Sequence, residues 1–155
     1  MLHFAYGSNM HRAVMRRHAP TAQPVGVAVL ADHRFLITGD GYASVEPARA
    51  QTVHGVLWRI TPRDRVTLDG WENIAGGLYR AETMPVRHAG RVHPTLIYIA
   101  RPSREGRPKA GYMELVVAAA RDWKFPRTYI AGLEQWLPKG PAAAGTRKLG
   151  DIAWT

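Results

Sequence analysis

Cysteine is absent from this 155-residue chain, which excludes disulfides, thiolate nucleophiles and cysteine-bound metal centres together. Long apolar runs are missing too: the longest, Leu115 to Ala120, is far short of a bilayer span. The chain opens on Leu2-His3-Phe4-Ala5-Tyr6 with no basic leader, so a soluble, unexported, cytoplasmic protein with no membrane partner is expected. Acidic residues are scarce, 12 Asp and Glu against 21 Lys and Arg, for a formal net charge of +9. Such an excess raises nucleic acid as a partner. The densest patches, Arg16-Arg17, Arg101 to Lys109 and Arg147-Lys148, lack the interleaved aromatics of a strand-tracking surface. Nucleic-acid binding is therefore disfavoured against a solvated basic surface, whose field would also serve a site for an anionic substrate. Metal-binding histidine pairs are absent as well: none of the seven histidines forms His-x-x-x-His or His-Glu-x-x-His. Most are expected in polar surface or barrel-face roles, with His54 the one considered for an approach to a pocket.

What the chain does have is 46% hydrophobic residues, enough at this length for one core. Residues 1–137 are expected to form a single domain. From Pro138-Lys139-Gly140-Pro141 onward, residues 138–155 read as a tail extended over the domain and clamped by Ile152 and Trp154.

Leu2 to Tyr6 reads as a first strand, and Gly7-Ser8-Asn9 as a turn and cap leading into a helix from Met10 to His18. Ala22 to Leu30, His33 to Thr38, Tyr42 to Glu46 and Thr52 to Ile60 read as strands, with Gly39-Asp40-Gly41 a turn and Gly55 a bulge or close-approach point. Thr61-Pro62-Arg63-Asp64 is a helix start, a capping hydroxyl before proline with a carboxylate following, and the helix should reach about Glu72. Leu78 to Arg87 and Val92 to Ala100 form a hairpin about Ala89-Gly90. Two packed helices follow, with Tyr112, Leu115, Val116, Ala119 and Trp123 on one apolar face and Tyr129, Ile130, Leu133, Trp136 and Leu137 on the next. The class is mixed α and β, a small β-barrel or strongly curved mixed sheet with flanking helices.

Two segments carry candidate chemistry. Tyr6-Gly7-Ser8-Asn9, between a strand and a helix, would present backbone N–H groups at the positive end of a helix dipole, a cradle for a carboxylate or oxyanion; an ordinary strand-to-helix turn is the competing reading. Ser8 as a nucleophile is disfavoured, because no Gly-x-Ser-x-Gly pattern surrounds it. The second segment is Leu68-Asp69-Gly70-Trp71-Glu72. A glutamate at a helix C-terminus has its pKa raised by the dipole, and Trp71 could add desolvation, which suits a general base. A solvated carboxylate at a helix end is the alternative, and Asp69 is an equally visible competitor.

Phe4-Ala5-Tyr6-Gly7-Ser8-Asn9-Met10, Gly41 to Val45, Val53 to Trp58, Leu68-Asp69-x-x-Glu72 and Gly77-Leu78-Tyr79 together resemble the γ-glutamylcyclotransferase-like (AIG2-like) family over roughly residues 2 to 100. The resemblance implies a β-barrel with a cavity where the Tyr6 to Met10 loop meets Glu72. It further implies that Tyr6, Gly7, Ser8, Asn9 and Met10 bind a γ-glutamyl group and that Glu72 accepts and donates the proton. Tyr79, Tyr98 and Tyr112 resemble tyrosines that line such pockets. The implied activity is 5-oxoproline release from a small γ-glutamyl compound, without cofactor or metal. One position departs: where many members have glycine after the glutamate, this chain has Asn73, which bears on the loop geometry and on substrate choice.

Overall fold

The computed structural model describes residues 1–139, and the expected tail and its clamp at Ile152 and Trp154 fall almost wholly outside them. Five strands, β1 (Leu2–Ala5), β2 (Gln23–Ile37), β3 (Ala43–Arg59), β4 (Tyr79–His88) and β5 (Arg91–Ala100), close into a barrel in the order β1-β3-β2-β4-β5. Helices α1 (Arg12–His18), α2 (Pro62–Trp71), α3 (Tyr112–Asp122) and α4 (Arg127–Glu134) flank it. This is the small mixed barrel expected from the strand spacing.

The ring closes through β1, which is antiparallel to β3 and meets β5 in parallel at His3 and Leu96. Gly55 makes that placement possible. A Cβ there would lie 2.5 Å from both the Ala5 carbonyl oxygen and the Phe4 ring, so this glycine is a close-approach point. Fully buried Phe4, Leu57, Ile97 and Met113 knit the barrel interior to α3, each contributing about 1.5–3 kcal/mol through removal from water.

Residues 22–60 hold two long strands, where the sequence pattern suggested four. The ladder steps from Ala31 opposite Thr52 to His33 opposite Pro47. At the step Asp32 and Ala50 take positive φ, 56° and 64°, and Asp32 Oδ1 accepts the Ala50 N–H at 3.0 Å. The polar interruption is thus a bulge that bends a continuous hairpin. Between β4 and β5, Ala89 and Gly90 both have positive φ, the two-residue hairpin geometry whose twist matches that of the strands.

Helix α2 begins as its sequence dictates. Thr61 Oγ1 accepts the Asp64 N–H, the Asp64 carboxylate accepts the Thr61 N–H, each at 3.1 Å, and Pro62 fills the first turn. It ends in a Schellman arrangement: Ile74 N–H donates to Asp69 O and Asn73 N–H to Gly70 O. Glu72 is the last residue before that turn.

Candidate active site

A cleft of about 650 Å³, its open mouth included, lies where β1 and the following turn meet the end of α2. Tyr6, Gly7, Ser8 and Asn9 line one side, with Glu72 and Trp71 from α2, Tyr79 from β4, Tyr98 from β5 and Tyr112 from α3 completing the wall. Eight of the nine sequence-proposed site residues therefore converge on one cavity. The ninth, Met10, does not line it: its side chain is fully buried in the core, and its carbonyl accepts the Trp123 indole N–H at 2.8 Å.

The loop differs in kind from the strand-to-helix cradle expected. Ser8–Met10 form a single 3-10 turn, His11 is extended, and α1 starts only at Arg12. The loop amides consequently do not stand at the N-terminus of an α-helix, and the dipole argument for an anion cradle falls away. Asn9 makes no cap. Instead it is buried, and its Nδ2 donates to Glu72 Oε1 at 3.2 Å. Gly7 is required for space: a Cβ there would stand 2.6 Å from the Tyr112 hydroxyl oxygen. That oxygen accepts hydrogen bonds from the Ala43 amide at 3.2 Å and from Ser8, which engages Ser8 in shaping the wall.

Three other tyrosines are likewise committed. Tyr6 donates to the Tyr98 carbonyl, Tyr79 to the Ala43 carbonyl, and Tyr98 to Asp69 Oδ1. Burial pushes the phenols of Tyr6 and Tyr79 well above their ordinary pKa, so they serve as neutral donors. Asp69 is held between Tyr98 and Arg65, whose guanidinium lies 2.9 Å away. It supports the wall without lining the cleft.

Glu72 keeps partial exposure as a residue, yet its carboxyl group is set deep among protein atoms. Burial, with the negative charge of Asp69 adding to it, raises its pKa from 4.5 to about 7. The elevation expected from the sequence is present, but its source is enclosure by the barrel. Trp71, 39% exposed, lines the cleft while staying open to solvent and stacks on His18 with ring centres 4.1 Å apart.

Asn73 occupies the position of the expected family glycine with φ of +50°. Asparagine is the residue that best tolerates this left-handed conformation after glycine, and Asn73 Oδ1 also accepts the Gly76 N–H at 3.1 Å. The departure thus preserves the turn that follows Glu72.

Two histidines in the cleft were not anticipated. His3 and His18 both line it, whereas His54 lies elsewhere, packed on Tyr129 and Phe125. His18 Nδ1 is 2.8 Å from Asn9 Oδ1, and His3 Nδ1 is 3.1 Å from the Leu96 carbonyl. Burial lowers the pKa of each to about 4. Among the described residues no group of three acidic or imidazole side chains could hold a metal, and no helix is long and apolar enough to cross a membrane.

A closed five-stranded barrel with flanking helices, holding a buried carboxyl group against a Tyr-Gly-Ser-Asn turn, defines a protein with the γ-glutamyl cyclotransferase-like fold. The family model of the AIG2-like family matches residues 52–133, and the chain belongs to that family. Solved structures agree on the fold. A protein named gamma-glutamyl cyclotransferase superposes with a TM-score of 0.86 at 21% identity, over 97% of this chain and 95% of that one. An uncharacterized protein from Homo sapiens gives 0.85 at 22% identity, over 97% and 94%. YkqA from Bacillus subtilis gives 0.75 at 25% identity, over 90% of this chain and 56% of that one. No curated protein matches the chain in sequence.

Proposed function

We propose that this chain is a γ-glutamylcyclotransferase-type enzyme that releases 5-oxoproline from a γ-glutamyl amine, amino acid or peptide, with Glu72 as general acid and base. The observation that carries the reading is a carboxyl group with a pKa near 7, facing the same cleft as the Tyr6–Asn9 turn and hydrogen-bonded by Asn9. A general base works best when its pKa lies close to the operating pH.

The substrate supplies its own nucleophile. The Glu72 carboxylate takes a proton from the α-ammonium, and the freed nitrogen attacks the γ-carbonyl carbon, forming the C–N bond of a five-membered lactam. As the attacking nitrogen gives up its second proton, the tetrahedral intermediate collapses and the bond to the original amine breaks. Glu72 returns the first proton to the leaving nitrogen, which takes up the second as well and departs as its ammonium. The products, 5-oxoproline and a protonated amine, balance without water, cofactor or redox partner. Because both reacting groups belong to one molecule, the protein's task is to hold them in a near-attack arrangement and to move the proton. The turn from Tyr6 to Asn9 is the surface against which the γ-glutamyl group rests, and the neutral tyrosines of the wall limit its depth.

A binding module that keeps the pocket without chemistry is the competing reading. It has no use for a costly buried carboxyl poised near neutrality. Assaying 5-oxoproline release across a panel of γ-glutamyl amines, amino acids and peptides separates the two: turnover of at least one supports the enzyme, and tight binding without turnover of any supports the module.

A further inference from the structure

The amide of Asn9 lies between two ring or carboxyl groups of opposite need. Its Nδ2 is 3.2 Å from Glu72 Oε1, and its Oδ1 is 2.8 Å from His18 Nδ1. An ionised carboxylate only accepts, so the Asn9 nitrogen must face it. The carbonyl end of the amide then faces His18, and His18 must carry its proton on Nδ1. The imidazole Nε2 is left as a buried atom without a partner, as the lone-pair nitrogen of the neutral Nδ1–H tautomer. The ring itself has little freedom. It is 4% exposed and stacks nearly parallel on Trp71, the residue preceding Glu72.

We propose that His18 is a positioning residue for Glu72: its Nδ1–H holds the Asn9 amide in the orientation that donates to the Glu72 carboxylate. The inference rests on the reading of Glu72 as the base. With the opposite tautomer, Nε2–H, the ring would accept at Nδ1 and the Asn9 amide would reverse. The Asn9 oxygen would then oppose the carboxylate, and only protonated Glu72 would be satisfied. His18 thus favours the ionised base without touching the substrate. Burial keeps His18 neutral over the working range, which preserves the one-donor, one-acceptor imidazole on which the arrangement depends. Other groups coupled to Glu72 are Asp69 on its own helix and Tyr6, Tyr79, Tyr98 and Tyr112 on the surrounding elements. Arg17 is the charge acting on His18. Of these tyrosines, Tyr6 and Tyr79 have pKa values well above 10, so near neutrality Asp69 is the charge with which the His18–Asn9 pair competes.

Nitrogen-15 shifts of the His18 imidazole in the intact protein at neutral pH test the arrangement directly. The Nδ1–H tautomer is expected, and an Nε2–H tautomer overturns the proposal. Two variants extend the test to Glu72. His18→Phe keeps a ring against Trp71 but cannot donate, whereas His18→Asn restores a donor near the Nδ1 position. Carbon-13 titration of the Glu72 carboxyl should show its pKa raised by about 1 pH unit in His18→Phe, the loss of roughly one favourable hydrogen bond to the charged form, and largely restored in His18→Asn. The acid limb of the kcat profile should follow, with KM little changed. A Glu72 titration identical in wild type and His18→Phe contradicts the positioning role. Because the NMR readouts need no turnover, an absence of cyclotransferase activity would remove the proposed function while leaving the His18–Asn9–Glu72 arrangement standing or falling by itself.

Discussion

At Glu72 the fold holds a carboxyl group where ionisation is unfavourable, and that has a thermodynamic signature separate from catalysis. Its pKa is about 7 when folded and near 4.5 as an isolated group, so the folded chain binds the proton more tightly than the unfolded one. Stability attributable to this residue therefore falls as pH rises from about 4.5 to about 7 and is constant beyond. Glu72→Gln removes the effect. The variant should be more stable than wild type by on the order of 3 kcal/mol at pH 8, with the difference vanishing near pH 4. Urea denaturation at the two pH values measures this, and equal midpoints at pH 8 would show that the carboxyl is not held unfavourably. Asp69 contributes to the elevation from one turn back, while its hydrogen bond from Tyr98 ties the helix to β5 and its ion pair with Arg65 lies within the helix.

Among the elements, the end of α2 decides where Glu72 sits, and Asn73 decides how the chain leaves. A left-handed residue at this position costs a β-branched side chain about 1–2 kcal/mol, whereas glycine accepts it freely. Asn73→Val should accordingly lower stability by roughly 2 kcal/mol, its lost hydrogen bond to Gly76 included, and Asn73→Gly should stay within about 0.5 kcal/mol of wild type; chemical denaturation of the pair reads the contrast. Both ends of α2 were legible in the sequence, because Thr61, Pro62 and Asp64 act on their immediate neighbours and the pattern up to Glu72 is unbroken. The β4–β5 hairpin was legible for the same reason, its turn being two residues long. The joining of residues 22–60 into two strands was not. Asp32 and Pro47 look like punctuation, and only the pairing of distant segments makes them a bulge. The 3-10 turn was hidden similarly: Asn9 reads as a cap because caps are local, while its actual partners are Glu72 and His18. His18 gave no signal, since a single histidine beside two arginines looks like a solvated helix end. Its role depends on Trp71 and Asn9 arriving from other elements. Met10 shows the reverse error, a residue assigned to the pocket by its place in a motif and claimed by the core.

Over the whole molecule, two buried neutral histidines oppose the effect of Glu72. His3 and His18 have pKa values of about 4 when folded against 6.5 unperturbed. The unfolded chain takes up protons on them first as pH falls, so stability is lost between about pH 6.5 and pH 4, by roughly 3 kcal/mol for each ring. Glu72 returns a comparable amount for one group across an overlapping window, leaving a net loss toward acid. Wild type should thus show a moderate fall in melting temperature from pH 7 to pH 4, and Glu72→Gln a steeper one from a higher starting point. Identical slopes for the two proteins would show that the titrations are not coupled to folding.

The central claim, that Glu72 moves the proton in γ-glutamyl cyclisation, is tested by the rate of 5-oxoproline release from about pH 5 to about pH 9 for wild type and Glu72→Gln on one turned-over substrate. On the proposed mechanism the ionised form of Glu72 is the base, so wild-type kcat should rise through a limb near pH 7. The folded variant should be slower by roughly 100-fold or more, still bind the substrate, and lack that limb. Near-normal turnover by Glu72→Gln with an unchanged pH profile would contradict the account.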